Sequence, residues 1–304
     1  MEKNLKPIGS LLADSWRLYK KHMNVFALIS VIPFIFAGVK LALAPYLYNF
    51  WGQPTSLADA ALLAVFGLLY LAFVIVVPFA MSVAVHEADQ GKMPNVEAVY
   101  KRAFSSIFPY LAILLLTIII TFGGSILFII PGIIASIYLS LAMYVYIFEG
   151  KTNIEALVVS AWYVRNFWWD ILARKITVAI LVIAAGLIFS LIFVPIVFVL
   201  GFGPSVFQFL LNLFVFMIVL PFSFTVYYLI YKDVKHAQHA RGKTGVPEKA
   251  FTLEAEKIYI ILIIVAAVAA VGLFVVFSIN PAPHPFFNYG MNGMMHHRDF
   301  MMGN

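Results

Sequence analysis

The sequence predicts an all-α, polytopic integral membrane protein of about seven transmembrane helices, with three cytoplasmic amphipathic helices that each lead into a helical hairpin. Three observations predict it. The chain is 63% hydrophobic and only 11% charged, where soluble domains carry about 25% charged residues. Residues 103–148 and 176–231 contain no Lys, Arg, Asp or Glu, and each interval has room for two spans of roughly 20 residues and a turn. The basic residues, finally, are sorted to one side of the spans thus defined.

In chain order, the first apolar run lies near 24–47 and the second near 60–85. The charge-free intervals supply two pairs more. Their turns are expected at Gly123-Gly124-Ser125 and at Gly201-Phe202-Gly203-Pro204-Ser205, because clustered Gly, Pro and Ser mark reversals. A last run at 258–279 makes seven. The organisation read from this is a six-span membrane domain at 1–232, a basic cytoplasmic linker at 233–257, the seventh helix at 258–279 and a Met/His-rich extracytoplasmic tail at 280–304. Ala42-Leu43-Ala44 has the small-x-small form of a signal cleavage site. Pro45 follows it directly, so the first span is read as an uncleaved anchor.

Orientation follows from Lys and Arg near the span ends. Of 20 basic residues, five precede the first span, three lie at 92–102, four at 151–175 and six at 232–257; only Lys40 and Arg298 fall on the other side. This places the chain in the cell membrane with its N-terminus cytoplasmic and its C-terminus outside.

Each predicted cytoplasmic helix carries an apolar stripe at i, i+3, i+4, i+7 and i+8. The stripes are Ile8, Leu11, Leu12, Ser15 and Trp16; Val96, Val99, Tyr100, Ala103 and Phe104; and Ile154, Leu157, Val158, Ala161 and Trp162. The last two share more than hydrophobicity. Gly150-Lys151-Thr152-Asn153-Ile154-Glu155-Ala156 matches Gly91-Lys92-Met93-Pro94-Asn95-Val96-Glu97-Ala98 with one residue extra, which identifies an internal repeat. Thr152 with Glu155 has the form of a capping box. Such helices suit the membrane interface; the alternative is that each is the bent cytoplasmic start of the following span.

The run Ile130-Pro131-Gly132-Ile133-Ile134, then Glu149-Gly150-Lys151, Glu155-Ala156-Leu157, Ser160 and Trp168-Trp169, together with Ile8-Gly9-Ser10 and Ser15 to Lys21, resembles the membrane domain fused to some glycerophosphodiester phosphodiesterases and its free-standing six-span relatives of unknown role. The resemblance covers about residues 5–232 and implies a topology. The soluble phosphodiesterase domain has no counterpart here, so that activity is not implied.

Candidate chemistry is sparse. Cysteine is absent, which excludes disulfides, thiolate catalysis and Cys-ligated zinc. Lys40 is the one charged residue well inside a span, near an end where its side chain can snorkel to the interface. Prolines at 33, 45, 78, 109, 131, 195 and 221 free backbone carbonyls that in broken-helix transporters line a cavity. Proline is also simply commoner in membrane helices. Lys232 to Lys243 is suited to anionic lipid headgroups. In the tail, Met291, Met294, Met295, His296, His297, Met301 and Met302 offer thioether and imidazole ligands of the kind that bind Cu(I), without a fixed ligand spacing. The expectation is a non-enzymatic membrane protein that organises or assists other components, in contact with lipids and an unidentified membrane protein and not with nucleic acid. The alternatives are a transporter or channel for a small solute, and copper or other metal handling through the tail.

Overall fold

The computed structural model describes residues 5–47, 56–127 and 129–241 of the chain. These residues form helices joined by short turns, without strands. The order is α1 (Ile8–Lys21), α2 (Met23–Leu47), α3 (Leu57–Asp89), α4 (Val96–Ser105), α5 (Ile107–Leu127), α6 (Ile129–Tyr138), α7 (Ala142–Glu149), α8 (Asn153–Val164), α9 (Trp168–Val199), α10 (Pro204–Phe214), a π-helical turn at Val215–Val219 and α11 (Leu220–Ala240). Five helical stretches are long and apolar enough to cross a membrane: Leu57–Asp89, Ile107–Ser125, Ile129–Glu149, Trp168–Val199 and Pro204–Ala240. On α2, the side chain of Lys40 lies outside the described residues, as do the expected seventh span and the tail.

Of the two expected turns, the second forms as predicted. Gly201 adopts a left-handed φ of 70° after α9, and Pro204 opens α10, a position where its missing N–H is not needed. The first is displaced. Gly123-Gly124-Ser125 is helical and α5 runs on to Leu127. Those glycines serve close packing instead: a Cβ on Gly124 would meet the Gly132 backbone at 3.2 Å, and one on Gly132 would collide with the Ser125 side chain. Pro131-Gly132 is therefore where α5 and α6 come into backbone contact.

The three short helices pack on the protein itself. The buried ridge of α1 is Leu11, Ser15 and Tyr19, laid against α11. In α4 it is Val99, Tyr100 and Ala103, laid against α3. Helix α8 is buried well beyond its stripe, over Ala156–Ser160, Tyr163 and Val164. Trp16 and Phe104, the aromatic ends of the first two stripes, remain about half exposed. Single residues, His22 and Ser106, join α1 to α2 and α4 to α5.

The expected domain boundary after residue 232 falls inside α11, which continues without interruption to Ala240. The first eight residues of the expected linker thus belong to the packed body.

Candidate functional site: a polar layer built on α11

About half of the long-range polar contacts among the described residues converge on the second half of α11. Tyr228 with Lys232, and Tyr231 with Lys235, are i, i+4 pairs, and helical geometry aims each pair the same way. Each takes one carboxylate from another helix. Asp89 of α3 accepts from the Tyr228 phenol at 2.9 Å and from Lys232 Nζ at 2.6 Å. Glu149 of α7 accepts through Oε1 from Tyr231 at 2.7 Å, from Tyr163 of α8 at 2.9 Å and from Lys235 Nζ at 3.0 Å. Because Tyr228 gives its proton to Asp89, His86 Nδ1, 2.9 Å from that phenol, must donate to it. His86 Nε2 is then free to accept from Gln90 Nε2 at 2.9 Å.

A third carboxylate is α11's own. Asp233 Oδ2 accepts from Arg174 Nη1 of α9 at 2.8 Å and from the backbone N–H of Lys6 at 3.0 Å, while Arg174 Nη2 donates to the Lys6 carbonyl at 2.6 Å. The Arg174 and Asp233 side chains are only 6% and 13% exposed, so this pair is desolvated and anchors the N-terminal segment. At the far end of the helix, Gln238 accepts from Asn166 and donates to the Trp162 carbonyl at 3.3 Å.

The internal repeat acquires a physical meaning here. Gly91 and Gly150 both adopt the left-handed conformation, with φ of 77° and 70°, and each ends a helix. After α3 the Lys92 N–H reaches the Glu87 carbonyl and the Gly91 N–H the Ala88 carbonyl, both at 3.0 Å, the paired bonds of a Schellman ending. After α7 a single bond of 3.0 Å runs from the Gly150 N–H to the Tyr146 carbonyl. Asp89 and Glu149 thus stand at helix C-termini, where the dipole disfavours an anion, and the lysines of α11 offset that penalty.

The repeat units diverge where their next helices begin. Asn95 caps α4 through its side chain, accepting from the Ala98 N–H at 3.1 Å. The capping box expected at Thr152 does not form: its side chain makes no cap bond. Asn153 enters α8 with a φ of 50°, and Glu155 pairs with Lys151 instead.

The short helices also satisfy backbone groups freed by breaks in the long ones. Pro33 has no N–H, so the Ile29 carbonyl lacks its helical donor; the buried Tyr100 phenol of α4 donates to it at 2.5 Å. Pro221 likewise lacks an N–H where the π-helical turn passes into α11, and Tyr19 of α1 donates to the Met217 carbonyl in that turn at 3.1 Å. Burial pushes the Tyr100 hydroxyl up to about 12 and raises that of Tyr19, which keeps both protonated as donors. Between α6 and α7, Ser160 of α8 donates to the Tyr138 carbonyl at 2.7 Å and accepts from the Leu141 N–H at 3.1 Å.

A cavity of about 360 Å³ opens between α1 and α11, lined by Lys6, Asp14, Asp89, Lys232, Asp233 and His236. Arg17 and then Lys6, both bonded to Asp14, hold its carboxyl below the usual carboxylate value. A second, of about 570 Å³, lies where the α8–α9 junction meets α6.

Sequence reasoning singled out Glu149, Ser160 and the glycines of the repeat, and read Lys232 to Lys243 as facing lipid headgroups rather than Lys232 and Lys235 as partners of Asp89 and Glu149. The signal available was "YYLIYKDVK", residues 227–235, whose Tyr/Lys spacing is helical and whose charges end a long apolar run. The tail residues Met291, Met294, Met295, His296, His297, Met301 and Met302 lie outside the described residues. Among those described, no three His, Cys, Asp or Glu residues are grouped so as to hold a metal ion. No family model, curated protein or solved structure matches the chain.

Proposed function

We propose that this chain is a non-enzymatic, multi-pass protein of the cell membrane that organises or assists other membrane components. In this reading α2, whose 25 residues extend about 37 Å, is a sixth span and residues 258–279 a seventh. The polar layer around α11 faces the cytoplasm with the N-terminus, and the C-terminus lies outside. The topology follows the six-span membrane domains that the sequence resembles.

One observation carries the reading. Asp89, Glu149 and Asp233, and the Ile29 and Met217 carbonyls near Pro33 and Pro221, are partnered by the chain's own side chains. A general acid or base needs a group free to meet a substrate, and a broken-helix transporter needs freed carbonyls facing a cavity. Here these groups act as joints between helices.

Affinity purification of the full chain from native membranes, followed by identification of bound proteins and lipids, tests this. A partner protein recovered in near-equal amount is the expected result. Isolation of the chain alone, combined with solute uptake by vesicles that contain it, would sink the reading in favour of a transporter. Orientation is tested separately, because the absence of native cysteines permits single-cysteine labelling: Lys20→Cys is expected to react only from the cytoplasmic side.

A further inference from the structure

We infer that the groove between α6 and the α8–α9 junction binds one zwitterionic phospholipid of the surrounding bilayer, with its phosphate on Arg165, its ammonium group on Asp170 and its acyl chains along the exposed isoleucines of α6. The inference rests on the multi-pass reading and does not depend on the organising role.

The groove has two chemically different walls. Ile130, Ile133 and Ile134 of α6 form one, and all three are exposed in the isolated chain. Arg165, Trp169 and Asp170 belong to the other. Arg165 and Asp170 are exposed, and neither side chain has a hydrogen-bond or ion-pair partner among the described residues. What distinguishes Arg165 and Asp170 is their placement, a cation and an anion without protein partners on the rim of one groove beside an exposed apolar wall. Their charges sum to zero while remaining separate, which complements a phosphate and an ammonium group carried by one molecule. An anionic headgroup would satisfy Arg165 but meet Asp170 as a like charge, and a simple cation would do the reverse.

The aromatic rim fits the same occupant. Trp169 is 75% exposed and stands perpendicular to Trp168, with ring centroids 4.6 Å apart. Tryptophans take this place at the headgroup level of a bilayer, and an indole face attracts ammonium groups. Asn166 ties the junction to Gln238 at 3.1 Å, so the charged rim borders the polar layer while the isoleucines belong to an apolar helix. A phospholipid has its own polar boundary between two such surfaces.

The test is native mass spectrometry of the purified full chain in detergent, titrated with phosphatidylethanolamine or with phosphatidylglycerol of the same acyl chains. The wild type is expected to hold one phosphatidylethanolamine in preference to phosphatidylglycerol. Arg165→Ala is expected to weaken phosphatidylethanolamine binding about tenfold, the loss of one charge-assisted contact. Asp170→Asn should remove the preference between the two lipids. Its carboxylate also lies in the first turn of α9, so a purely structural role would lower the melting temperature and leave lipid preference intact. Equal binding of the two lipids by the wild type, or undiminished phosphatidylethanolamine binding by the double variant, overturns the site, as does a dimer whose formation excludes the lipid. Extraction of the chain from membranes by alkaline carbonate would instead overturn the multi-pass reading beneath it.

Discussion

The two halves of α3 have nearly the same hydrophobicity and opposite surroundings. From Leu57 to Ile75 no residue is buried, and Leu68 is 67% exposed; from Val76 to Val85 only Pro78 escapes burial. Helix α9 divides in the same way. Ile171, Arg174 and Val178 are buried near its start and only Val197 thereafter. In both helices the packed part is the end that reaches the polar layer. In lipid an apolar side chain gains little by leaving acyl chains for a protein neighbour, so hydrophobicity does not decide which half packs. Polar groups that have no partner in lipid do decide it.

The largest effect expected from breaking this contrast is at Arg174 and Asp233. Removing one member strands a buried charge, and Arg174→Leu is expected to destabilise by about 3–5 kcal/mol. It should lower the melting temperature in detergent strongly, whereas Arg174→Met combined with Asp233→Leu recovers much of the loss. An unaltered single variant would refute the anchoring role. Next come the hydroxyls that satisfy freed backbone groups. Tyr100→Phe and Ser160→Ala each leave buried backbone polar atoms unpaired, at about 1–3 kcal/mol per group; hydrogen exchange at Leu141 should accelerate in the serine variant alone.

A pH effect follows in size. His22 is buried, with neither ring nitrogen bonded, and burial, aided by Lys21, depresses its pKa below 6.5. The unfolded chain therefore binds the proton more readily, and stability present above pH 6.5 is lost as pH falls toward the folded value. Melting temperatures between pH 7.5 and 5 should decline in the wild type and decline less in His22→Phe. The smallest effect is in the exposed half: Leu68→Ala is expected to change stability by less than about 0.5 kcal/mol. A loss as large as that of Tyr100→Phe would mean that this surface is covered by protein.

The sequence made the helical class and the turn at Gly201–Ser205 legible, because each depends on residues close together in the chain. Asn95 and the left-handed Gly91 and Gly150 are local in the same sense. The break between α6 and α7 was not legible: Leu139-Ser140-Leu141 carries no Gly or Pro, and the donor that makes it tolerable is Ser160, on another helix. The polar layer was hidden for the same reason. Asp89 and Lys232 are 143 positions apart, and their meeting depends on the rotation of α11 about its axis, which an apolar run of nearly even hydrophobicity does not encode. The three stripes were visible, but periodicity does not distinguish a helix lying on lipid from one lying on α3 or α11.

The tyrosine of α1 has a consequence for the order in which the protein is made. Its acceptor, the Met217 carbonyl, lies 198 residues downstream, and the Lys6 backbone waits for Asp233, 227 residues away. Helix α1, made well before α11, thus finds its place late. Until α11 has been synthesised, the Leu11–Tyr19 ridge of α1 lacks its main packing partner, and its docking joins the two ends of the described bundle.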